Sequence, residues 1–162
     1  SFMDPNVVRK AKLRALHLLE YMDRTEKGLR KKLEKDYPPE AIDETIRYLG
    51  SYGYIDDKRY AENYLRTRLN GKGHRRLFQE LYQKGVPSAL VQEAWEELCM
   101  EESVEEGPDE RASIRKLITK KIGDQTELSR REYQRLMAFL ARRGFSWEDI
   151  SAEFEEKGIK MV

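Results

Sequence analysis

At 162 residues, 38% charged and 39% hydrophobic with only 5 prolines, the chain has the composition of a helix-rich protein long enough to bury most of its apolar side chains. Its apolar runs are a few residues long, which excludes a membrane-spanning helix. The net charge of +1 argues against indiscriminate binding to nucleic acid.

Residues 1–8 read as an N-terminal arm or a cloning remnant, and Ser1, Phe2 and Met3 are given no function. Ala11, Ala15, Leu18, Leu19 and Met22 follow the 3, 4, 7 spacing of one helix face. Thr25 then offers a hydroxyl cap to a short helix carrying Leu29 and Leu33. Pro38 and Pro39 forbid continuation but suit a start, so a third helix follows, with Ala41, Ile42, Thr45, Ile46 and Leu49 on one face and an end near Gly50 and Gly53. A second set of helices is predicted over Tyr60–Leu69, Arg75–Lys84 and Ser88–Met100, broken at Gly71, Gly73 and Gly85. Residues 101–108, rich in glutamate, read as an exposed acidic linker. Asp109 caps a helix on Ile114, Leu117, Ile118 and Ile122. Ser129 with Glu132 forms a capping box for a helix on Tyr133, Leu136, Met137 and Leu140, and Ser146 with Asp149 a shortened one. No stretch alternates as a strand does.

One apolar phrase recurs three times: Leu29, Leu33, Tyr37, Ile42, Ile46; Leu77, Leu81, Val86, Val91, Trp95; Leu136, Leu140, Phe145, Ile150, Phe154. In each copy the break residue lies five positions before the next anchor and nine before the last. Shared apolar spacing without shared polar residues marks a copied helical unit. The expected fold is therefore all-α: three tandem three-helix repeats, over 9–56, 57–100 and 109–162, forming an elongated, curved array. Trp95 is expected to be buried, filling the place of Ile46 and Phe154.

The charges are segregated. Residues 58–76 hold 7 Lys/Arg against one acid, residues 93–110 hold nine acids and no base, and residues 111–143 hold ten bases against three acids. Lys72, His74, Arg75 and Arg76 surround a double-glycine turn, where bare backbone amides and dense positive charge suit phosphates or an acidic protein surface. Arg66 points away from the apolar stripe, free to meet a partner. Arg68 falls inside that stripe, so it either pairs with Asp56 or Asp57 or contacts a partner. Asp56 and Asp57 read as helix capping, and Tyr54, Tyr60 and Tyr64 as core-facing, with stacking on bases as the alternative.

The segment Gly53-Tyr54-Ile55-Asp56-Asp57-Lys58-Arg59-Tyr60-Ala61, taken with Arg66-Thr67-Arg68-Leu69-Asn70-Gly71-Lys72-Gly73 and Glu80-Leu81-Tyr82-Gln83-Lys84-Gly85-Val86, resembles the RecX family, regulators of the recombinase RecA. Arg24-Thr25-Glu26, Leu29-Arg30-Lys31-Lys32-Leu33 and Leu140-Ala141-Arg142-Arg143-Gly144-Phe145 are similar to the family's first and third units. The first unit departs from the other two in carrying Asp36 where they have Gly85 and Gly144. The resemblance implies tandem three-helix units and a monomer that binds RecA filaments on single-stranded DNA and limits their growth or activity. Arg66, Lys72, His74, Arg75 and Arg76 are the first candidates for that contact, with Arg130, Arg131 and Arg135 of the third unit beside them.

Catalysis has little to work with. His17 and His74 suggest neither a dyad nor a zinc site, and no phosphate-cradling glycine loop is followed by Lys-Ser/Thr. No enzyme activity, metal or cofactor is expected. The opening has no basic segment leading into an apolar one, and Cys99 sits on an apolar face, so the chain reads as cytoplasmic. The competing reading is a helix-turn-helix-like module that reads duplex DNA, for instance a transcription factor. Against it, the third helices expose Glu40, Asp43, Glu44, Gln92, Glu93, Glu96, Glu97, Glu148 and Glu153, mostly acids where a major-groove reader wants Arg, Lys, Asn or Gln.

Overall fold

Capping residues and prolines cut the chain into helices at the places where its apolar stripes restart. In the computed structural model, which describes residues 4–101 and 108–162, Asp4 accepts from Asn6 N–H at 2.9 Å and opens α1 (Pro5–Tyr21). This helix therefore begins inside the segment expected to be an arm. Thr25 caps α2 (Glu26–Leu33), and Pro38 precedes α3 (Pro39–Ser51). Then follow α4 (Asp57–Arg68), α5 (His74–Gln83), α6 (Ser88–Cys99) and α7 (Glu110–Ile122). The Ser129–Glu132 capping box is present at the head of α8 (Arg130–Arg142), and Ser146 caps α9 (Trp147–Lys157). The acidic linker lies, but for Glu101 and Pro108, outside the described residues. No helix among the described residues is long and apolar enough to cross a membrane.

The helices group into two compact units, Ser1–Glu62 with Leu81–Ala94, and Asn63–Glu80 with Trp95–Val162. The residues of the second repeat are thus shared between them. In the first unit, Ala15 and Leu18 of α1, Leu29 and Leu33 of α2, and Ile42, Ile46 and Leu49 of α3 make one core, with Tyr37 packed against it. In the second unit, Ile114 and Ile118 of α7, Leu136 and Leu140 of α8, and Ile150 and Phe154 of α9 do the same around Phe145. Each fully buried leucine or isoleucine of this kind stabilises by about 1.5–3 kcal/mol.

Four expectations change. Two short strands exist, β1 (Glu127–Leu128) and β2 (Lys160–Met161), paired in parallel, with Lys160 N–H donating to Thr126 O at 2.7 Å and Val162 N–H to Leu128 O at 2.9 Å. Two residues are too few to show alternation, so nothing in the sequence announced them. Trp95 is half-buried, because Val91, Ala94 and Leu98 take the buried stripe of α6 and leave it at the edge. There it stacks on His74 (4.7 Å between centroids, 21°) and meets the edge of Phe78 (5.7 Å). Arg68 is exposed and lies with its Cζ 3.8 Å over the Tyr64 ring, so cation–π contact replaces the expected carboxylate. Tyr54 is half-exposed, not core-facing. Apart from these, Glu153 of α9, expected on an exposed face, is buried, where Arg111 and Arg115 pair with it. Asp56 does cap α4, accepting from Arg59 N–H at 3.1 Å, while Asp57 reaches back to accept from Glu26 N–H at 2.9 Å.

The same joint occurs once in each unit. In the first, Thr25 Oγ1 donates to Lys84 O at 2.7 Å, and the following Gly85, at φ +92°, lies so close to Lys27 that a Cβ would fall 2.4 Å from its Cδ. In the second, Gly73 N–H donates to Arg143 O at 2.8 Å, and Gly144, also at φ +92°, faces Arg76 with room for no Cβ, which would fall 2.8 Å from the Arg76 nitrogen. The residue preceding one helix thus docks on the turn between two later ones, and glycine is required there twice over, by φ and by space.

Candidate nucleic-acid interface

The double-glycine turn between α4 and α5 is less open than its sequence implies. Gly73 is buried, and its amide is taken by Arg143 O, so it cannot serve a phosphate. Glu80, one side of which is shielded, gathers Lys72 Nζ at 2.7 Å, Arg76 Nε at 3.0 Å and the Tyr64 hydroxyl at 2.6 Å. Burial pushes this carboxyl up, but the hydrogen bonds from Lys72, Tyr64 and Arg76 outweigh it and hold Glu80 at about 2. His74 is likewise engaged: its backbone N–H (2.7 Å) and its Nδ1 (2.6 Å) both meet Glu110 Oε1, while its ring stacks on Trp95. Arg66, in the last turn of α4, pairs with Glu101. Of the five basic candidates in this region, Arg75 alone is exposed without an ion pair among the described residues.

The third repeat presents its cations differently. On α8, Arg131, Arg135 and Arg142 fall at i, i+4 and i+11, one exposed stripe that sets a wall of an open groove of about 650 Å3. The last turn of α7 supplies Lys121 to the same groove, and the half-buried Phe139 lies in its lining. Phe139 has a cation on either flank, Lys121 Nζ at 4.4 Å and Arg143 Cζ at 4.8 Å from its ring centre. A second hollow of about 360 Å3 adjoins Phe139, lined by Asn70, Gly71, Lys120, Lys121 and Arg143, and Arg143 Nη1 donates to Gly71 O at 3.0 Å.

The groove's lining holds one acid, Glu132, and that carboxylate is turned to its own helix end. Its Oε1 accepts from Ser129 N–H at 3.0 Å, a bond that lowers its pKa. Arg131, Arg135, Arg142 and Lys121 have no ion pair among the described residues, so four positive charges face the groove uncompensated. Arg130, the first residue of α8, is exposed but does not line the groove. A concave wall of unpaired guanidinium groups around an aromatic ring suits a chain of phosphates with unpaired bases.

The structure therefore sets Arg131 and Arg135 on one groove wall and pairs most of the second-repeat cluster internally. Sequence reasoning missed Lys120, Lys121 and Phe139. The available signal was the α8 face, where Phe139 falls one helical turn after Arg135; the approach of α7 to that face left no mark in the sequence.

The three predicted repeats each find a counterpart. Residues 11–49, 56–94 and 109–152 match the first, second and third three-helix domains of RecX. Regulatory protein RecX of Vibrio vulnificus is 34% identical over 139 residues, covering 84% of this chain and 85% of that protein. The protein of the same name from Clostridium acetobutylicum is 30% identical over 149 residues, covering 90% of this chain and 68% of the relative. That from Bacillus velezensis is 35% identical over 153 residues, and there the chain spans only 56% of the relative's length. Among solved structures, RecX from Lactobacillus salivarius superposes with a TM-score of 0.72 at 25% identity, over 96% of this chain and 99% of that one. A second, a regulatory protein RecX, gives 0.76 at 27% identity, over 96% and 81%. With all three domains matched in order, and a relative matched along most of both lengths, the chain belongs to the RecX family of regulatory proteins.

Proposed function

We propose that this chain is a monomeric cytoplasmic regulator that binds the RecA recombinase on single-stranded DNA and limits its activity, using the groove of the third repeat to hold a stretch of the strand's phosphates. The observation that carries the reading is the row of four cations, Lys121, Arg131, Arg135 and Arg142, that no carboxylate among the described residues pairs with. A surface salt bridge is worth little to stability, so unpaired cations concentrated on one concave wall gain most from an external polyanion. The repeat architecture adds a protein-facing role, since tandem helical units offer extended surface for a partner. The chain itself hydrolyses nothing in this reading and needs no cofactor; ATP turnover belongs to the recombinase.

The test is a single-stranded oligonucleotide titration beside a RecA ATPase assay with the cognate recombinase. Wild-type protein slows DNA-dependent ATP hydrolysis at near-stoichiometric amounts. The variant Arg131→Glu/Arg135→Glu/Arg142→Glu folds normally, binds the strand more than tenfold more weakly, and lowers the logarithmic salt slope by about 2, since each lost phosphate contact removes roughly 0.7 on single strands. Reversing Arg66, Arg75 and Arg76 is a poorer probe than the sequence promises, because Arg76→Glu sets a second carboxylate against Glu80. Undiminished RecA activity across a wide excess of wild-type protein would falsify the regulatory reading.

A further inference from the structure

The first unit carries an aromatic feature that the basic groove does not use. Tyr52 and Tyr54 are 67% and 52% exposed, large values for rings that are held in place. They sit on a fixed turn closing α3: Tyr54 N–H donates to Leu49 O at 2.9 Å, Gly53 N–H to Gly50 O at 3.1 Å, and Gly53 takes the left-handed φ of +73°. This six-to-one bond with a left-handed glycine is a Schellman helix end, which leaves little freedom in the backbone that carries the rings. Arg59 Nη2 donates to Gly53 O at 2.9 Å and braces it further.

The rings line up. Tyr48, one turn earlier on α3, lies 4.9 Å from Tyr52 between centroids, and Tyr52 lies 6.3 Å from Tyr54 with their planes 34° apart. Tyr48 packs against the core of the unit, while Tyr52 and Tyr54 extend the row into water without gaining a core.

Charge beside the row indicates what covers it. Lys12 of α1 places its Nζ 4.3 Å over the Tyr48 ring, and Arg9 falls one helical turn away on the same face. Between Asp4 and Glu20 α1 carries four cations, Arg9, Lys10, Lys12 and Arg14, and no acid. Of the nearby acids, Glu44 is paired with Arg47 at 3.0 Å, while Asp56 and Asp57 keep their charge and are turned to the Arg59 and Glu26 amides. Flat rings flanked by uncompensated cations match bases joined by phosphates, and bases stack on any aromatic face without regard to sequence.

We propose that Tyr52 and Tyr54, backed by Tyr48 and flanked by Lys12 and Arg9, form a stacking platform for the unpaired bases of a single-stranded nucleic acid. The inference rests on the reading above that a single strand is a partner, and it adds a site that contacts bases where the groove contacts phosphates.

The experiment compares a fluorescent oligothymidylate with an abasic strand of the same length and charge, using the full chain. Wild-type protein binds the strand with bases about tenfold or more tightly than the abasic one. Tyr52→Ala/Tyr54→Ala brings the two affinities together and leaves both the salt slope and the melting temperature in place. Tyr52→Phe/Tyr54→Phe keeps the preference, since the ring face is retained. Equal wild-type affinity for both strands overturns the platform, as does an Ala variant with its base preference intact. A Phe variant as weak as the Ala variant also overturns it, by assigning the effect to the hydroxyls, and so does an Ala variant that loses only DNA-free recombinase binding, which makes the row a protein contact. Failure of the groove shows separately, as a wild-type phosphate-dependent salt slope in the Arg131/Arg135/Arg142 variant, whatever the tyrosine variants do.

Discussion

Thr45 is fully buried on the core face of α3, and its Oγ1 has no hydrogen-bond partner among the described residues. A hydroxyl stripped of water without replacement destabilises, so Thr45→Val raises stability by about 1 kcal/mol, seen as a higher denaturant midpoint at an unchanged slope. Glu80 gives the opposite lesson, a carboxylate supported from three sides. Its pKa falls from the ordinary 4.5 to about 2 on folding, so its contribution is complete above pH 4.5 and lost as pH falls toward 2. The melting temperature of Glu80→Gln therefore lies well below wild type at pH 7, and the gap closes between pH 4.5 and 2. At this scale the sequence was a partial guide. The capping roles of Thr25, Asp56, Ser129 and Ser146 were legible because a cap binds within three residues of itself. The partners of Lys72, His74 and Arg68 were not, since each is chosen by which groups the fold brings near, and a basic run reads the same whether it is bound to Glu80 and Glu110 or free.

Among elements, the three-helix phrase was legible because burial imposes its spacing directly: Leu29 and Leu33, Leu77 and Leu81, Leu136 and Leu140 are all buried. The joints explain a difference that spacing alone left unexplained. Gly85 and Gly144 each receive an earlier segment of the chain, at Lys27 and Arg76; Asp36, the matching residue of the first repeat, is exposed and keeps a side chain. Glycines that look alike in sequence therefore respond differently to substitution. Gly144→Ala puts a Cβ at φ +92° against the Arg76 backbone and destabilises by about 2–3 kcal/mol. Gly50→Ala, in the last turns of α3 with nothing within 4 Å of a new Cβ, stabilises by about 0.5–1 kcal/mol. Thermal melts of the two variants side by side check both signs.

For the molecule as a whole, a net charge of +1 conceals a sorting of charge that sequence blocks foreshadowed and packing completed. In the block at 58–76, Glu80, Glu101 and Glu110 pair with Lys72, Arg76, Arg66 and His74; the block at 111–143 partly meets Glu153, which is buried and bound by Arg111 at 2.5 Å and Arg115 at 3.1 Å. The groove between α7 and α8 keeps its cations unpaired among the described residues, and it was illegible because two helices must approach to make it. Arg143 borders that groove through its guanidinium, which lies over Phe139 and lines the adjoining hollow, and belongs to the joint through its carbonyl, which accepts the Gly73 amide. Anything that fixes this residue from one side fixes it from the other, and such coupling is reciprocal by thermodynamic necessity. On the proposed reading, a bound strand is reported at a distance from its phosphates, as slower hydrogen exchange of one amide, Gly73, and an alanine at Gly144 that loosens the joint weakens the strand's hold.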